Sequence, residues 1–193
     1  IYPEPLHLSP ANGDSLLMET PDVHHLDELA ALTLLGDAHT HNLATVVRGA
    51  PVLRPIHAVL AEGWLCFHSR GAGAKQEALG QQAVIGADDL ITEVPSYFRD
   101  AERGCAAGTL YQSAQLTGRL EEVRERETKL RLLEAMMNKH QPEGRYTLPE
   151  PGSRRGQAEL DNVLVAGLRV EDSTLSGRAN LARQASDGAV AKL

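Results

Sequence analysis

NLATVVRGAPVLRPIHAVLAEGWLCFHSRGAGAKQEAL, residues 42–79, is the stretch that decides the fold. It contains three apolar, β-branched runs, at residues 43–47, 52–60 and 64–68, and glycine-containing turns separate them. This pattern predicts three consecutive strands. The third run continues into the small, glycine-rich and basic residues 69–75, and residues 75–79 predict the start of a helix.

A strand that ends in hydroxyl and basic groups, followed by glycines and a helix start, is typical of a phosphate site. Backbone N–H groups and the helix dipole would face the anion, and Lys75 would supply a point charge. Ser69 and Arg70 are further candidates, with Arg54 as a basic residue on the neighbouring strand. Residues 71–75 are not a P-loop, because they lack its spacing and its magnesium-binding hydroxyl.

Three motifs follow one another in a fixed order between residues 24 and 180. They are Arg54-Pro55-Ile56-His57, then Phe67-His68-Ser69 with Gly73-Ala74-Lys75, then Tyr111-Gln112-Ser113 continuing to Gly118-Arg119. Their order and spacing resemble the pyridoxamine 5'-phosphate oxidase-like superfamily of FMN-binding split β-barrels. Within it, they are most similar to the branch that includes the nitroimidazole-resistance reductases.

The resemblance implies a fold that is mainly β with flanking helices (α+β), a six-stranded antiparallel split β-barrel of the FMN-binding type. We expect a single domain over residues 1–193, with residues 1–21 and 185–193 peripheral or loosely ordered. The family further implies FMN as cofactor, a homodimer in which both subunits frame each flavin, and hydride or electron transfer to or from a small molecule.

The resemblance also assigns roles to individual residues. Lys75, Ser69, Arg70 and Arg54 would bind the FMN phosphate, and His68 would be the functional histidine near the flavin. The edge of the flavin ring would contact residues of two strands, the second often from the other subunit: Arg54, Pro55, Ile56 and His57, and Tyr111, Gln112 and Ser113. Trp64 or Tyr97 could form an apolar wall. Ala74 and Gln112 stand where the family has basic residues, and Arg70 could compensate for them.

Two other functions are compatible with the same fold. The first is a flavin- or haem-binding sensor or regulator without turnover, for which His68 or His57 would be the axial ligand of a haem. The second is a strict pyridoxamine 5'-phosphate oxidase. It is disfavoured, because the C-terminal region has no Trp-Arg substrate-binding pattern and the sole tryptophan is Trp64.

Composition excludes several classes of protein. A net charge of −7 over 193 residues disfavours a general nucleic-acid binder, and no apolar run approaches the ~20 residues of a membrane span. No signal-peptide pattern is visible in a chain that begins at Ile1. Cys66 and Cys105, without a CxxC motif, favour a reducing cytoplasm, and alternation in its strand predicts Cys66 to be a buried, inert thiol.

Histidines occur at residues 24–25 and 39–41, but they lack the partner ligands of a metal motif. We therefore expect solvated histidines at helix ends rather than a metal site. The rest of the chain predicts a helix at residues 22–35 with Asp22 as N-cap, and a strand at 81–87 with a turn at Asp88-Asp89. Residues 90–94 continue the sheet or form a hairpin. The loop at 95–108 is either a lid or partner-contacting segment or a plain connection. Further elements are a long strand at 109–123, an amphipathic helix at 124–140, an irregular loop at 145–157 and a last clear strand at 161–170.

Overall fold

The computed structural model describes residues 23–98, 100 and 102–181, so the predictions for residues 1–21 and 185–193 lie outside the described residues. The described chain forms ten strands: β1 Val23–His25, β2 His41–Val47, β3 Ala50–Ile56, β4 Val59–Ala61, β5 Trp64–Arg70, β6 Gln82–Val94, β7 Gly108–Arg119, β8 Glu121–Glu122, β9 Val163–Arg169 and β10 Thr174–Asn180. It also forms four α-helices: α1 Glu28–Asp37, α2 Ala74–Glu77, α3 Arg126–His140 and α4 Arg154–Asn162.

The strands form two antiparallel sheets that face each other. The larger sheet has the order β1-β10-β7-β6-β2-β3, and the smaller has the order β4-β5-β9-β8. The predicted fold class is confirmed: the chain is mainly β, antiparallel and flanked by helices, on a split-barrel frame. The larger sheet holds six strands, and four further strands form the second sheet instead of closing the first.

Two apolar cores explain why the third run in residues 42–79 is apolar throughout. Leu65 and Phe67 face the main core between the sheets, whereas Trp64 and Cys66 face a smaller core beneath α3. Successive side chains of a strand point to opposite faces, so a strand covered on both sides is apolar at every position. In β2 only alternate residues are buried, because its outer face is open.

The first helix begins later than predicted. Asp27, and not Asp22, is the N-cap of α1, and its carboxylate accepts a hydrogen bond of 2.7 Å from the backbone N–H of Ala30. Val23–His25 instead forms the edge strand β1 beside β10. Strand β10 provides hydrogen-bond partners for the backbone groups of residues 23–25. The local sequence pattern, which resembles a helix, does not reveal this pairing.

Three other predictions of local structure were wrong. Asp88-Asp89 is not a turn, because β6 continues through it, held by the equally long β7. The loop predicted at 145–157 contains the start of α4, where the Ser153 hydroxyl accepts a hydrogen bond from the N–H of Gly156. The single strand predicted at residues 52–60 is divided into β3 and β4, which belong to different sheets. The polar strand β10, inserted between β1 and β7, was missed. The helix predicted at 124–140 is confirmed as α3, and the last predicted strand as β9.

The hairpin of β6 and β7 extends beyond the sheet. Strand β2 pairs with β6 only at residues 83–86, and β10 pairs with β7 only at residues 111–117. The described residues between 90 and 110 therefore form a two-stranded ribbon that ends in two short turns, Ser96–Phe98 and Gly104–Ala106. This segment is called the arm below.

None of the helices in the described part of the chain has the length and hydropathy needed to cross a membrane.

Candidate functional site

Two predicted cations lie near each other: Arg54 on the edge strand β3 and Lys75 on helix α2. Ser69 and Arg70 end strand β5 just before α2, and they line a cavity with Glu159 and Asn162 of α4. The four predicted residues around the ends of β3, β5 and α2, namely Arg54, Ser69, Arg70 and Lys75, are called the basic corner below. The ammonium group of Lys75 lies over the ring of the buried Phe67, 5.2 Å from its centroid. Burial and the nearby guanidinium of Arg54 both lower the pKa of Lys75, so a bound anion would stabilise its charged form.

The turn into α2 depends on one glycine. Gly73 has a φ of 85° and precedes the first helical residue, a conformation that side chains other than glycine rarely adopt. The helix has only four residues. It therefore contributes little of the dipole that we expected to face a phosphate, and the side chains must supply most of the positive charge.

The cations of the basic corner keep their charge available for a ligand. Glu77 on α2 is held by Arg48, with 2.8 Å between the closest nitrogen and oxygen. Among the ion pairs of the described residues, none involves Arg54, Arg70 or Lys75. The corner is thus a concentration of unpaired positive charge in an acidic protein, with donors suited to phosphate or carboxylate oxygens.

Three histidine rings, two from loops and one from the end of α3, meet near this corner. The rings of His57 and His140 meet edge to face with centroids 5.1 Å apart, and His39 lies 6.3 Å from His140. The Nδ1 atom of His57 is 3.0 Å from the carbonyl oxygen of His39. A carbonyl can only accept, so Nδ1 carries the proton, and Nε2 has a lone pair when the ring is neutral.

His68, the predicted catalytic residue, lies on β5 within electrostatic range of both Lys75 and His57. Burial lowers its pKa, and the positive charge of Lys75 and the ring of His57 lower it further. The pKa of His140 is also lowered, first by burial and then by Lys139 and the neighbouring histidines. Both rings are consequently neutral at pH 7 and can accept a proton or a hydrogen bond.

Lys139 is a residue that sequence reasoning missed. Its ammonium group donates to the carbonyl oxygens of Ala38, at 2.7 Å, and Ala58, at 2.9 Å. These carbonyls adjoin His39 and His57, so Lys139 fixes the two loops that carry those histidines. The only sequence signal for Lys139 and His140 was their position in the last turn of α3.

Some residues predicted to contact the cofactor cannot do so with their side chains. Ile56 is buried in the main core, so only its backbone could contact a cofactor, and Pro55 is exposed on the edge strand. Trp64 is buried, with the guanidinium of Arg169 4.4 Å from its ring centroid. Trp64 packs beneath α3, so it does not form the predicted apolar wall beside the basic corner.

The residues Tyr111, Gln112 and Ser113 are not adjacent to the basic corner within one chain. They lie on β7, which β6 and β2 separate from β3, a distance of about 14 Å at the usual strand spacing. Tyr111 and Ser113 line a cavity of about 570 Å³ on the outer face of the larger sheet, together with Arg178 from β10. Gln112 instead donates to Asp89, over 3.3 Å.

His41 differs from the prediction of solvated histidines at helix ends, because it is fully buried at the start of β2. No group of three or more His, Cys, Asp or Glu residues in the described part of the chain could hold an ion. Cys66 is buried, and burial raises its pKa to about 12, which confirms the predicted inert thiol. Cys105 is exposed near the end of the arm.

Comparison with protein families gives one match that covers most of the chain. A family model described as pyridoxamine 5'-phosphate oxidase matches residues 27–179. This range includes the basic corner, the histidine rings and the arm. No curated protein matches the chain.

Solved structures of similar fold cover most of the chain at low identity. The FAD and heme binding protein from Mycobacterium smegmatis is 24% identical, with a TM-score of 0.63, over 77% of this chain and 69% of that one. The flavocytochrome Anf3 from Azotobacter vinelandii is 18% identical, with a TM-score of 0.67, over 83% and 70%. A proposed 5-nitroimidazole antibiotic resistance protein from Bacteroides thetaiotaomicron is 16% identical, with a TM-score of 0.60, over 90% and 97%. At these identities the likeness shows a shared fold.

Proposed function

Since the chain belongs to the pyridoxamine 5'-phosphate oxidase family, we propose that it binds FMN and acts as an oxidoreductase on a small molecule. The observation that carries this proposal is the set of unpaired cations at the basic corner. Arg54, Arg70 and Lys75 form no ion pair within the described chain, although it contains many carboxylates.

The basic corner suits the phosphate of FMN. Lys75 and Arg54 supply positive charge from two elements, and Arg70 adds donors at the end of β5. The Ser69 hydroxyl donates to the carbonyl oxygen of Arg70 at 3.1 Å and would have to rotate to donate to a phosphate. Charge-assisted hydrogen bonds of this kind are roughly twice as strong as neutral ones. They offset the loss of basic residues at Ala74 and Gln112, where the family pattern has positive charge.

The bound flavin would supply hydride transfer, and the chain would position it and handle protons. We assign the ring edge to the backbone of residues 54–57, next to the corner. His68 is the proposed catalytic residue, because its neutral ring at pH 7 can accept a proton close to the cofactor. His57 offers a second proton acceptor at Nε2, since its Nδ1–H donates to the carbonyl of His39.

We further propose a homodimer. In the family, the strand that carries Tyr111, Gln112 and Ser113 often reaches the flavin from the other subunit, and within one chain these residues lie about 14 Å from β3. The outer face of the larger sheet also leaves Val46 and Leu53 exposed, which a partner would cover. The free thiols of Cys66 and Cys105 suit a cytoplasmic protein.

A haem-binding sensor is the second candidate, and one observation favours it. The carbonyl of His39 fixes His57 in the tautomer whose Nε2 is free to ligate a metal, and this is the usual arrangement behind a ligating histidine. His68 is the other candidate axial ligand.

The absorption spectrum of the purified protein, followed by titration with FMN, FAD and haemin, tests the two candidates. We expect flavin bands or a saturable uptake of FMN. FAD should bind more weakly, because each phosphate of its internal pyrophosphate carries one negative charge, whereas the monoester of FMN carries nearly two. A Soret band with no uptake of flavin would support the sensor, and a protein that takes up neither group would contradict both.

A further inference from the structure

The arm exposes apolar side chains that no other part of the described chain covers. Four large apolar side chains are exposed along it: Leu90 at 57%, Ile91 at 47%, Tyr97 at 66% and Phe98 at 74%. Isolated two-stranded hairpins are marginally stable at best in water. A ribbon that carries this much exposed apolar surface is typical of an interaction segment.

The arm cannot lie on the basic corner of its own chain. Asn42 pairs with Gly86 and Thr45 with Ala83, so β6 runs past the start of β2 as it enters the arm. Arg48, at the opposite end of β2, anchors α2 through Glu77. Counting register positions, Val94 lies roughly 25 Å beyond the level of Arg54 along the strand direction.

The arm and its base carry a net charge opposite to that of the corner, with five carboxylates and two arginines in residues 88–110. Asp88, Asp89 and Glu93 are exposed on the arm and at its base, and no ion pair within the described chain uses them. Arg54, Arg70 and Lys75 are the unpaired cations at the corner. The two surfaces therefore complement each other in charge, and complementary potentials favour one relative orientation of two copies.

The arm also carries the aromatic surface that the corner lacks. Trp64 and Phe67 are buried in the cores, and the hydroxyl of Tyr146 donates to Asn138 beside α3. Tyr97 and Phe98, with ring centroids 4.9 Å apart, are the exposed aromatic pair of the described chain. A flavin ring needs an apolar wall to exclude water, and such walls in cofactor sites are mainly aromatic and aliphatic.

We propose that the arm of one copy docks against the basic corner of a second copy, where Tyr97 and Phe98 cover the flavin ring. This rests on the proposed flavin site and names the segment by which the partner completes it. A two-fold axis makes the contact reciprocal: each copy gives an arm and receives one. The acidic residues at the base of the arm then face the rim of the corner, and the aromatic end lies over the ring.

A photo-crosslinking experiment without added flavin tests the docking. The photoreactive amino acid p-benzoylphenylalanine replaces Tyr97, and equal amounts of ¹⁵N-labelled and unlabelled chains are mixed and irradiated. We expect crosslinked pairs of mixed isotope composition that join position 97 to peptides within residues 50–77. Crosslinks only within one chain, or only to peptides outside this range, would overturn the proposal. The same photoreactive residue at Leu29, which is 76% exposed on α1, is the control and should give no crosslink to residues 50–77.

Flavin affinity gives the second readout. The double variant Tyr97→Ser/Phe98→Ser should bind FMN at least tenfold more weakly and form a weaker dimer in analytical ultracentrifugation, whereas Leu29→Ser should change neither. Unchanged affinity and unchanged dimerisation in the double variant would overturn the proposal. Because the crosslink is measured without flavin, failure of FMN to bind would refute the proposed function while crosslinks to the corner would still establish the arm contact.

Discussion

Replacing Lys75 with alanine is expected to weaken FMN binding by about 1.5–3 kcal/mol, the range for a hydrogen bond to a charged group. This corresponds to roughly a 10- to 150-fold higher dissociation constant. The physical reason is that Lys75 is half-buried, unpaired and already under repulsion from Arg54, so a phosphate gains a full charge-assisted contact there. Quenching of flavin fluorescence during titration measures the change.

The neighbouring residue provides the matched control for Lys75. Gln76 is exposed on the same short helix, and Gln76→Ala should leave FMN affinity within experimental error. Lys75→Arg keeps the charge and should retain most of the affinity. If Lys75→Ala binds FMN as tightly as the unchanged protein, the phosphate lies elsewhere and the basic corner is not its site.

Gly167→Ala is expected to destabilise the fold by about 3 kcal/mol, the upper end of the usual cost of overpacking a core. Gly167 lies on β9, paired with Cys66 on β5 and Glu121 on β8. A Cβ atom there would lie 2.6 Å from the Cα of Cys66 and would also clash with the carbonyl oxygen of Leu65. Because these clashing atoms belong to the backbone of β5, a side-chain rotation cannot relieve the clash, and β5 and β9 would have to separate. Urea denaturation measures the loss in the free energy of unfolding.

Gly152 is the control for this substitution. It lies just before α4, and a Cβ added to it would meet nothing within 4 Å. Gly152→Ala should therefore leave the free energy of unfolding nearly unchanged. Equal losses for Gly152→Ala and Gly167→Ala would contradict the close packing of the smaller sheet.

The sequence predicted the elements whose patterns are local. Apolar alternation and glycine turns indicated β2, β3 and β5, and apolar spacing indicated α3, because burial of one face imposes a period on the residues that form it. Cys66 was predicted correctly for the same reason. The order of motifs along the chain indicated the fold class before any contact was known.

The missed elements depend on partners distant in sequence. Strand β10 is polar and contains a glycine, yet it forms because β1 and β7 provide hydrogen bonds on both sides. Asp88-Asp89 resembles a turn, but β7 holds both residues in an extended ladder. Asp22 and Asp27 are both capable N-caps, and the pairing of β1 with β10 decides between them.

The candidate site was predictable where its residues are close in sequence. Ser69, Arg70 and Lys75 follow one strand end, and Arg54 lies on the next strand but one, so their grouping followed from the motif. The gathering of His39, His57 and His140 was not predictable, because it depends on α3 packing across two loops fixed by Lys139. The distance of Tyr111 and Ser113 from the corner likewise emerges only from the strand order.

A crystal structure of the protein grown with FMN tests the central claim most directly. Our account predicts the phosphate oxygens within hydrogen-bonding distance of Lys75 Nζ and Ser69 Oγ, with the ring beside residues 54–57 and His68. A phosphate bound away from the corner of β3, β5 and α2, or crystals that contain no flavin at saturating FMN, would contradict it.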